Sequence, residues 1–319
     1  LSYLTRLTNR LAKELDRLPQ DFRDRHANFI RSRRHTDGGY SGRADGSDLY
    51  YTGFALRGLA ALRQLDAESG ARTAQWLKSR LTREAPIVDF VSLLYGARVI
   101  AEHGGIDILA DAREDWPTAV TAALEAYRTP DGGYAKTLES ASGSTYHSFL
   151  VGLCYQLAGK PIPEPGKLAK FVLSRQREDG GFVEIPPMKR GGTNPTAAAI
   201  GLLAVLAEVP GAVPEAEGEE AIENAVEFLA ELQSPMEGGF SANTRVLVCD
   251  LLSSFTAMLT LIDLGAADRI EMPPAARFVY GCERPEGGFR GGIWDEAVDV
   301  EYTFYGLGAA ALIGPLEDE

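Results

Sequence analysis

Cysteine is scarce in this chain, with only Cys154, Cys249 and Cys282 in 319 residues. They are too few and too scattered for a disulfide framework or a thiolate metal cage, so a reducing, cytoplasmic setting is expected. Positive charge is in deficit as well. Forty-five acids against 32 bases leave a net charge of −13, a field that repels nucleic acid and anionic membrane alike. No apolar run reaches the ~20 residues that span a bilayer, so no transmembrane segment is expected. Residues 1–20 read as an amphipathic, charged stretch and not as a signal peptide. Strand-type alternation is nearly absent, and there is no phosphate-binding loop, dinucleotide fingerprint or nucleophile elbow. What remains, 45% hydrophobic and 24% charged, is ample for a large folded core.

Glycine is plentiful and patterned. A Gly-Gly-aromatic triplet occurs at Gly38-Gly39-Tyr40, Gly132-Gly133-Tyr134, Gly180-Gly181-Phe182, Gly238-Gly239-Phe240 and Gly287-Gly288-Phe289. The second glycines are spaced by 94, 48, 58 and 49 residues. The first interval is double, so a sixth unit is expected in residues 71–102, with Pro86 where the glycines would stand. An aromatic precedes the first glycine by nine or ten residues (Phe29, Phe171, Phe228, Phe278), and a third glycine follows at Gly58, Gly152, Gly201 and Gly306. Repetition at this period means one supersecondary unit stacked several times.

Segments such as 167–176 and 221–233 place apolar residues on one helical face and charge on the other. Residues 49–65, 145–157, 196–207, 251–264 and 302–313 are instead apolar nearly all round, the mark of a helix buried on every side. Each unit therefore reads as an outer helix, a glycine turn and an inner helix. The fold class expected is all-α: an α/α toroid of six helix pairs forming one domain over residues 1–319, with an open helical solenoid as the alternative.

Asp48, Asp89, Ser144, Asn194 or Thr193, Asp250 and Asp299 read as N-caps of the inner helices. Helix N-termini gathered at one end favour an anionic ligand group. The loops before the inner helices also carry bases, notably Lys189, Arg190 and Arg245. The inner segments are rich in aromatics, among them Tyr51, Tyr146, Phe255, Tyr302 and Phe304, whereas the fourth is alanine-rich at Ala197, Ala198 and Ala199. An aromatic funnel with a cationic rim suits an apolar chain with a charged head, such as a prenyl diphosphate. Packing between helices accounts for at least half of those rings. Acids at 111–115 read as a solvated turn.

With these units the chain resembles the β subunits of protein prenyltransferases, geranylgeranyltransferase β subunits most of all, over essentially its whole length. That family shares its α/α toroid with squalene and hopene cyclases. The resemblance implies isoprenoid binding, prenyl transfer and a helical-repeat α-type partner subunit. It also implies a zinc site whose Asp, Cys and His positions fall here on Asp250, Leu252 and Tyr302. One donor of three survives, so zinc is not expected, and magnesium stays open as the companion of a diphosphate. Arg245 falls near a family base, Arg190 or Asn194 stands nearest to a family histidine, and Tyr146 matches a pocket-wall residue. His147 reads as a hydrogen-bonded core histidine or as a diphosphate donor. The candidate catalytic residues are Asp250, Tyr302 and Asp299, and the candidate ligand-binding residues are Tyr51, Tyr146, His147, Lys189, Arg190, Arg245 and Phe255.

Three other readings stay open. A class II terpene cyclase would need a carboxyl of strongly raised pKa among Asp295, Glu296, Asp299 and Glu301, in place of the family's Asp-x-Asp-Asp cluster, which is absent. A non-catalytic toroid would serve as a binding or scaffold module. A glycosidase would need two opposed carboxylates, drawn from Glu125, Glu184, Asp250 and Asp299.

Overall fold

The computed structural model describes residues 1–80, 86–110 and 115–315. The turn expected at 111–115 therefore lies, apart from Asp115, outside the described residues. Among the described residues thirteen α-helices dominate. After α1 (Tyr3–Leu15), outer helices α2 (Gln20–Ser32), α4 (Ala67–Ser79), α6 (Trp116–Glu125), α8 (Pro165–Leu173), α10 (Glu215–Glu231) and α12 (Met272–Gly281) come in turn. They alternate with inner helices α3 (Leu49–Ala61), α5 (Ile87–Gly104), α7 (Thr145–Leu157), α9 (Thr193–Ala207), α11 (Leu251–Asp263) and α13 (Val300–Ile313). Two two-residue strands, β1 (Phe289–Arg290) and β2 (Val298–Asp299), pair antiparallel before α13.

The polypeptide divides into two compact units. One comprises residues 1–116 with 276–319, the other 117–275. In the first, α3 packs on α5 and α13, and α1 lies against α3 and α13. In the second, α9 packs between α7 and α11, with α8 and α10 behind it.

The glycine pairs explain the repeat. The first glycine of each triplet has positive φ, from +80° at Gly180 to +100° at Gly287, the region that glycine alone adopts freely. Its missing Cβ also leaves room for a backbone carbonyl of the next outer helix: Arg72 for Gly38, Lys167 for Gly132, Asn224 for Gly180, Pro274 for Gly238 and Arg25 for Gly287. The second glycine receives an aromatic ring from that same helix, Trp76 on Gly39, Phe171 on Gly133, Phe228 on Gly181 and Phe29 on Gly288. The recurrent aromatic thus docks on the turn of the preceding unit, not on its own.

In four units a polar side chain five residues after that aromatic reaches the neighbouring unit. Arg34 donates to Ser69 Oγ at 2.6 Å. Gln176 Nε2 bridges the Gly180 and Ala221 carbonyls, and Gln233 Nε2 bridges those of Gly238 and Glu271, all at 2.9 Å. In the last unit the position is Glu283, which accepts from Arg25 and from His26 of α2. The last repeat thereby docks on the first outer helix.

Candidate functional site

The residues before each inner helix form two separate clusters, one per unit. In the first unit Asp299 caps α13, its Oδ1 accepting from the Tyr302 backbone N–H at 2.8 Å. Its Oδ2 accepts from Arg43 Nε at 2.7 Å, while Arg43 Nη2 donates to Asp295 at 2.6 Å. Arg43 also lies over the Tyr302 ring at 5.4 Å. These two carboxylates raise the Arg43 pKa although burial works against it. Asp299 and Tyr302 are thus committed to building the end of α13.

Glu301 stands two residues after Asp299, within the first turn of α13. Its Oε1 accepts from Tyr50 Oη at 2.6 Å and from Tyr305 Oη at 3.4 Å. Oε2 has no hydrogen-bond partner among the described residues. Burial pushes this carboxyl above the ordinary glutamate range; the nearby Asp299 charge adds to the rise, while the Tyr50 bond opposes it. Around it the rings are continuous. Tyr50 meets Phe54 edge-on at 4.9 Å, Phe54 meets Phe304 at 5.6 Å and Tyr305 at 5.3 Å, and Tyr302 meets Tyr305 at 6.2 Å. Tyr51 flanks Tyr50 at 5.3 Å and packs over Gly42. Asp89, expected as a cap, is in the first turn of α5 instead, because Pro86 takes the N-cap. Burial and the Asp48 charge raise its pKa as well.

In the second unit Asp250 caps α11, Oδ1 accepting from Ser253 N at 2.7 Å and Oδ2 from Ser253 Oγ at 2.9 Å. Its burial raises the carboxyl pKa. Cys249 beside it is fully buried, its thiol pushed up to about 12 by that burial and by Glu237, so thiolate chemistry is closed to it at neutral pH. Leu252 supplies no donor, Asp250 is spent on the cap and Tyr302 offers a phenol. These side chains do not fit a zinc ion, which asks about three thiolate, imidazole or carboxylate donors. Ser144 caps α7. Its Oγ donates to Glu184 and bonds His147 Nδ1 at 2.8 Å, so His147 is a buried, hydrogen-bonded residue. Glu184 is drawn down by His147, Ser144 and the Tyr146 N–H, although burial alone would raise it.

Gly192 caps α9, rather than Thr193 or Asn194, and no side chain closes that terminus. Lys189, Arg190 and Arg245 are exposed on the adjoining loops, where Thr193 ties α9 to the Ser241 and Ala242 carbonyls. Among the described residues no carboxylate meets any of the three. Tyr146 is 38% exposed while Phe255 is 3% exposed and packs into the core. Glu125 is occupied by Arg128, Tyr134 and Tyr155, which removes it from any pair of hydrolytic carboxylates.

Two signals went unread in the sequence. An acid precedes every glycine pair, and in the turns of Asp131 and Asp179 its carboxylate holds the loop by accepting from both Gly133 and Gly143, or both Gly181 and Gly191. A hydroxyl 12 to 14 residues after the triplet aromatic accepts that aromatic's N–H, as in Thr52 with Tyr40 and Ser148 with Tyr134.

Among solved structures the chain is similar to Candida albicans protein geranylgeranyltransferase-I complexed with GGPP, with a TM-score of 0.70 at 14% identity, covering 91% of this chain and 90% of that one. It is also similar to a variant of the type II terpene cyclase MstE from Scytonema in complex with geranylgeranyl dihydroxybenzoate, with a TM-score of 0.60 at 14% identity over 97% and 98% of the two chains. The α-1,6-mannanase GH76A of Salegentibacter gives 0.58 at 12% identity over 97% and 98%. At such identities the likeness is one of fold, and three different reactions share it. No curated protein sequence matches. The family model of the prenyltransferase α/α-toroid domain matches residues 3–183 and 163–319. The α/α toroid expected from the repeats is thus the fold of this molecule, and the chain belongs to the prenyltransferase α/α-toroid family.

Proposed function

We propose that this chain binds an isoprenoid against the aromatic face of α3 and α13 and that Glu301 protonates it, starting a cyclisation or isomerisation. The observation that carries this reading is the Glu301 carboxyl itself: half-buried, raised in pKa, with two phenols on Oε1 and with Oε2 left to hold a proton. Hydrogen bonds from Tyr50 and Tyr305 stabilise the carboxylate that remains after transfer. The proton on Oε2 passes to one alkene carbon, whose π pair forms the new C–H bond and leaves a carbocation on the other carbon. The faces of Phe54, Phe304 and Tyr305 are suited to a cation of this kind. Loss of a proton from a neighbouring carbon ends the sequence, so product and substrate have equal mass. Two structural neighbours carry geranylgeranyl compounds, which makes C20 chains the first substrates to test.

Mass-spectrometric product analysis with geranylgeranyl diphosphate, geranylgeranyl arenes and squalene checks the reading. An isomer of equal mass, with one double bond fewer for each ring closed or with a double bond shifted, and lost in Glu301→Gln, is expected. Released pyrophosphate together with an alkylated acceptor overturns it.

A second reading has its own observation. Lys189, Arg190 and Arg245 meet no carboxylate beside the uncapped N-terminus of α9, an arrangement suited to a diphosphate. Prenyl-diphosphate binding with transfer to an acceptor, alone or with a helical α-type subunit, follows from that cluster. Magnesium would accompany the diphosphate as its counter-ion. Isothermal titration with geranylgeranyl and farnesyl diphosphate tests it, and no heat from folded protein rejects it.

A further inference from the structure

Arg57 lies within the apolar run that builds α3, two turns in from Asp48. Tyr50, Phe54 and Arg57 follow one another at spacings of four and three, so they share one face of the helix. The Arg57 guanidinium carbon lies 5.0 Å from the Phe54 ring centre, 5.1 Å from Tyr95 and 6.0 Å from Phe304. Its Nε is sealed from solvent without an acceptor. No carboxylate meets the group among the described residues, and its Nη atoms, unlike Nε, are not sealed from solvent. On the side of Tyr95, Glu102 takes Arg98 at 2.6 Å. The Tyr95 hydroxyl is turned away toward α1, where it donates to the Leu4 carbonyl at 2.9 Å and pairs with Thr8.

A cation partly withdrawn from water gains from a partner. Other half-buried arginines at the repeat junctions have one, Arg33 excepted, whose Nε is likewise sealed without an acceptor and whose guanidinium lies over the Phe29 ring at 4.9 Å. Arg25 has Glu283, Arg31 has Gln64 and Asp66, and Arg34 has Ser69. Three aromatic faces compensate Arg57 in part, because the ring quadrupole attracts a cation. They leave its N–H edge without an acceptor, and that edge is what a planar oxyanion engages in a two-point contact.

We infer that Arg57 is an interior oxyanion receptor, taking the carboxylate or phosphate group of an otherwise apolar ligand. Together with the isoprenoid reading, on which this orientation rests, it sets the direction in which the ligand lies. Tyr50 and Arg57 are about 10 Å apart along α3 at 1.5 Å per residue. The charged end is held at Arg57 and the reacting double bond lies toward Tyr50 and Glu301. Substrates of this class are isoprenoid acids or phosphates, not plain hydrocarbons.

Isothermal titration of the full chain with geranylgeranoic acid, geranylgeranyl monophosphate and geranylgeraniol tests the inference. The acid, the monophosphate or both are expected to bind about 10- to 100-fold more tightly than the alcohol, the range of one charge-assisted contact. Comparing the acid with the monophosphate tells which headgroup is preferred. Arg57→Met should abolish the preference and leave alcohol binding unchanged, while Arg57→Lys should keep part of it. Equal binding of acid, phosphate and alcohol, or a preference that survives Arg57→Met, overturns the inference. Octanoate and phenyl phosphate separate this result from the isoprenoid reading, since neither is an isoprenoid. If they bind in an Arg57-dependent way while all C20 compounds fail, the receptor stands and the isoprenoid reading falls. If no anionic probe binds wild type, the receptor falls. Thermal melting of Arg57→Met confirms that the variant is folded, and Arg57→Lys gives the same comparison in a chain that keeps its charge.

Discussion

The two clusters at the starts of the inner helices are built on one repeat and differ in charge. In the first unit the ends of α3, α5 and α13 bear Asp48, Asp89, Asp299 and Glu301, with Arg43 held between Asp295 and Asp299. In the second, Asp250 caps α11 but a serine caps α7 and a glycine α9, and Lys189, Arg190 and Arg245 stand without carboxylates on the loops. Acidic caps answer the partial positive charge of the helix end from within the protein, whereas the end of α9 leaves it for a ligand. One architecture thus offers a buried carboxyl of raised pKa among aromatics in one place and a cationic patch in another. The repeat prescribes where an inner helix begins and leaves the residue types of its first turn unconstrained.

The largest effect expected is on turnover. Glu301→Gln should lower the rate about 10²- to 10⁴-fold, the usual contribution of a positioned general acid. Lys189→Glu with Arg190→Glu should leave that rate within about twofold, since the pair lies in the other cluster and removes no general acid. Kinetics on both variants decide between the clusters. If the lysine–arginine reversal stops turnover and Glu301→Gln does not, the roles assigned here are exchanged.

Next come the glycine hinges, which should be alike in both units. An alanine at Gly180 would sit at positive φ with its Cβ 2.5 Å from the Asn224 carbonyl oxygen. Gly287 meets the Arg25 carbonyl in the same way. Each substitution should cost about 2–4 kcal/mol, from backbone strain plus overpacking. Denaturant melts of the two variants that differ greatly would show the junctions to be unequal.

A smaller loss separates the caps. Asp250→Ala should cost about 1 kcal/mol in chemical denaturation, the typical price of an N-cap. Asp299→Ala should cost more, because Arg43 loses a partner at 2.7 Å.

The pH dependence is the subtlest measurement. The folded pKa of Glu301 is raised, so its proton stabilises the fold fully below the unfolded value of about 4.3. That contribution is lost as pH rises through the folded value. Relative to Glu301→Gln, wild type should weaken over that window, and its turnover should fall with it. A stability difference independent of pH would show that Glu301 is not raised.

Much of the architecture was legible before any coordinates. Glycine pairs, all-round apolar segments and the doubled first interval point to six helix pairs, and α4 with α5 fills the interval. Asp48, Ser144, Asp250 and Asp299 cap as their residue type suggests. Proline at position 86 and glycine at 192 displaced the other two caps, because chain geometry there outweighed side-chain chemistry. The candidate site was less legible. Asp299 and Tyr302 were named for chemistry and are bound up with Arg43, while Glu301, one among four acids in sequence, became distinct through Tyr50, a residue 251 positions away. Arg57 was hidden inside an apolar run.

The sequence by itself determined the helices and their order, since periodicity and glycine conformation are local properties. Tertiary structure decided which carboxyls are raised in pKa by burial and which arginines lack an acceptor. Both depend on desolvation and on groups brought from distant helices, and no local pattern encodes either.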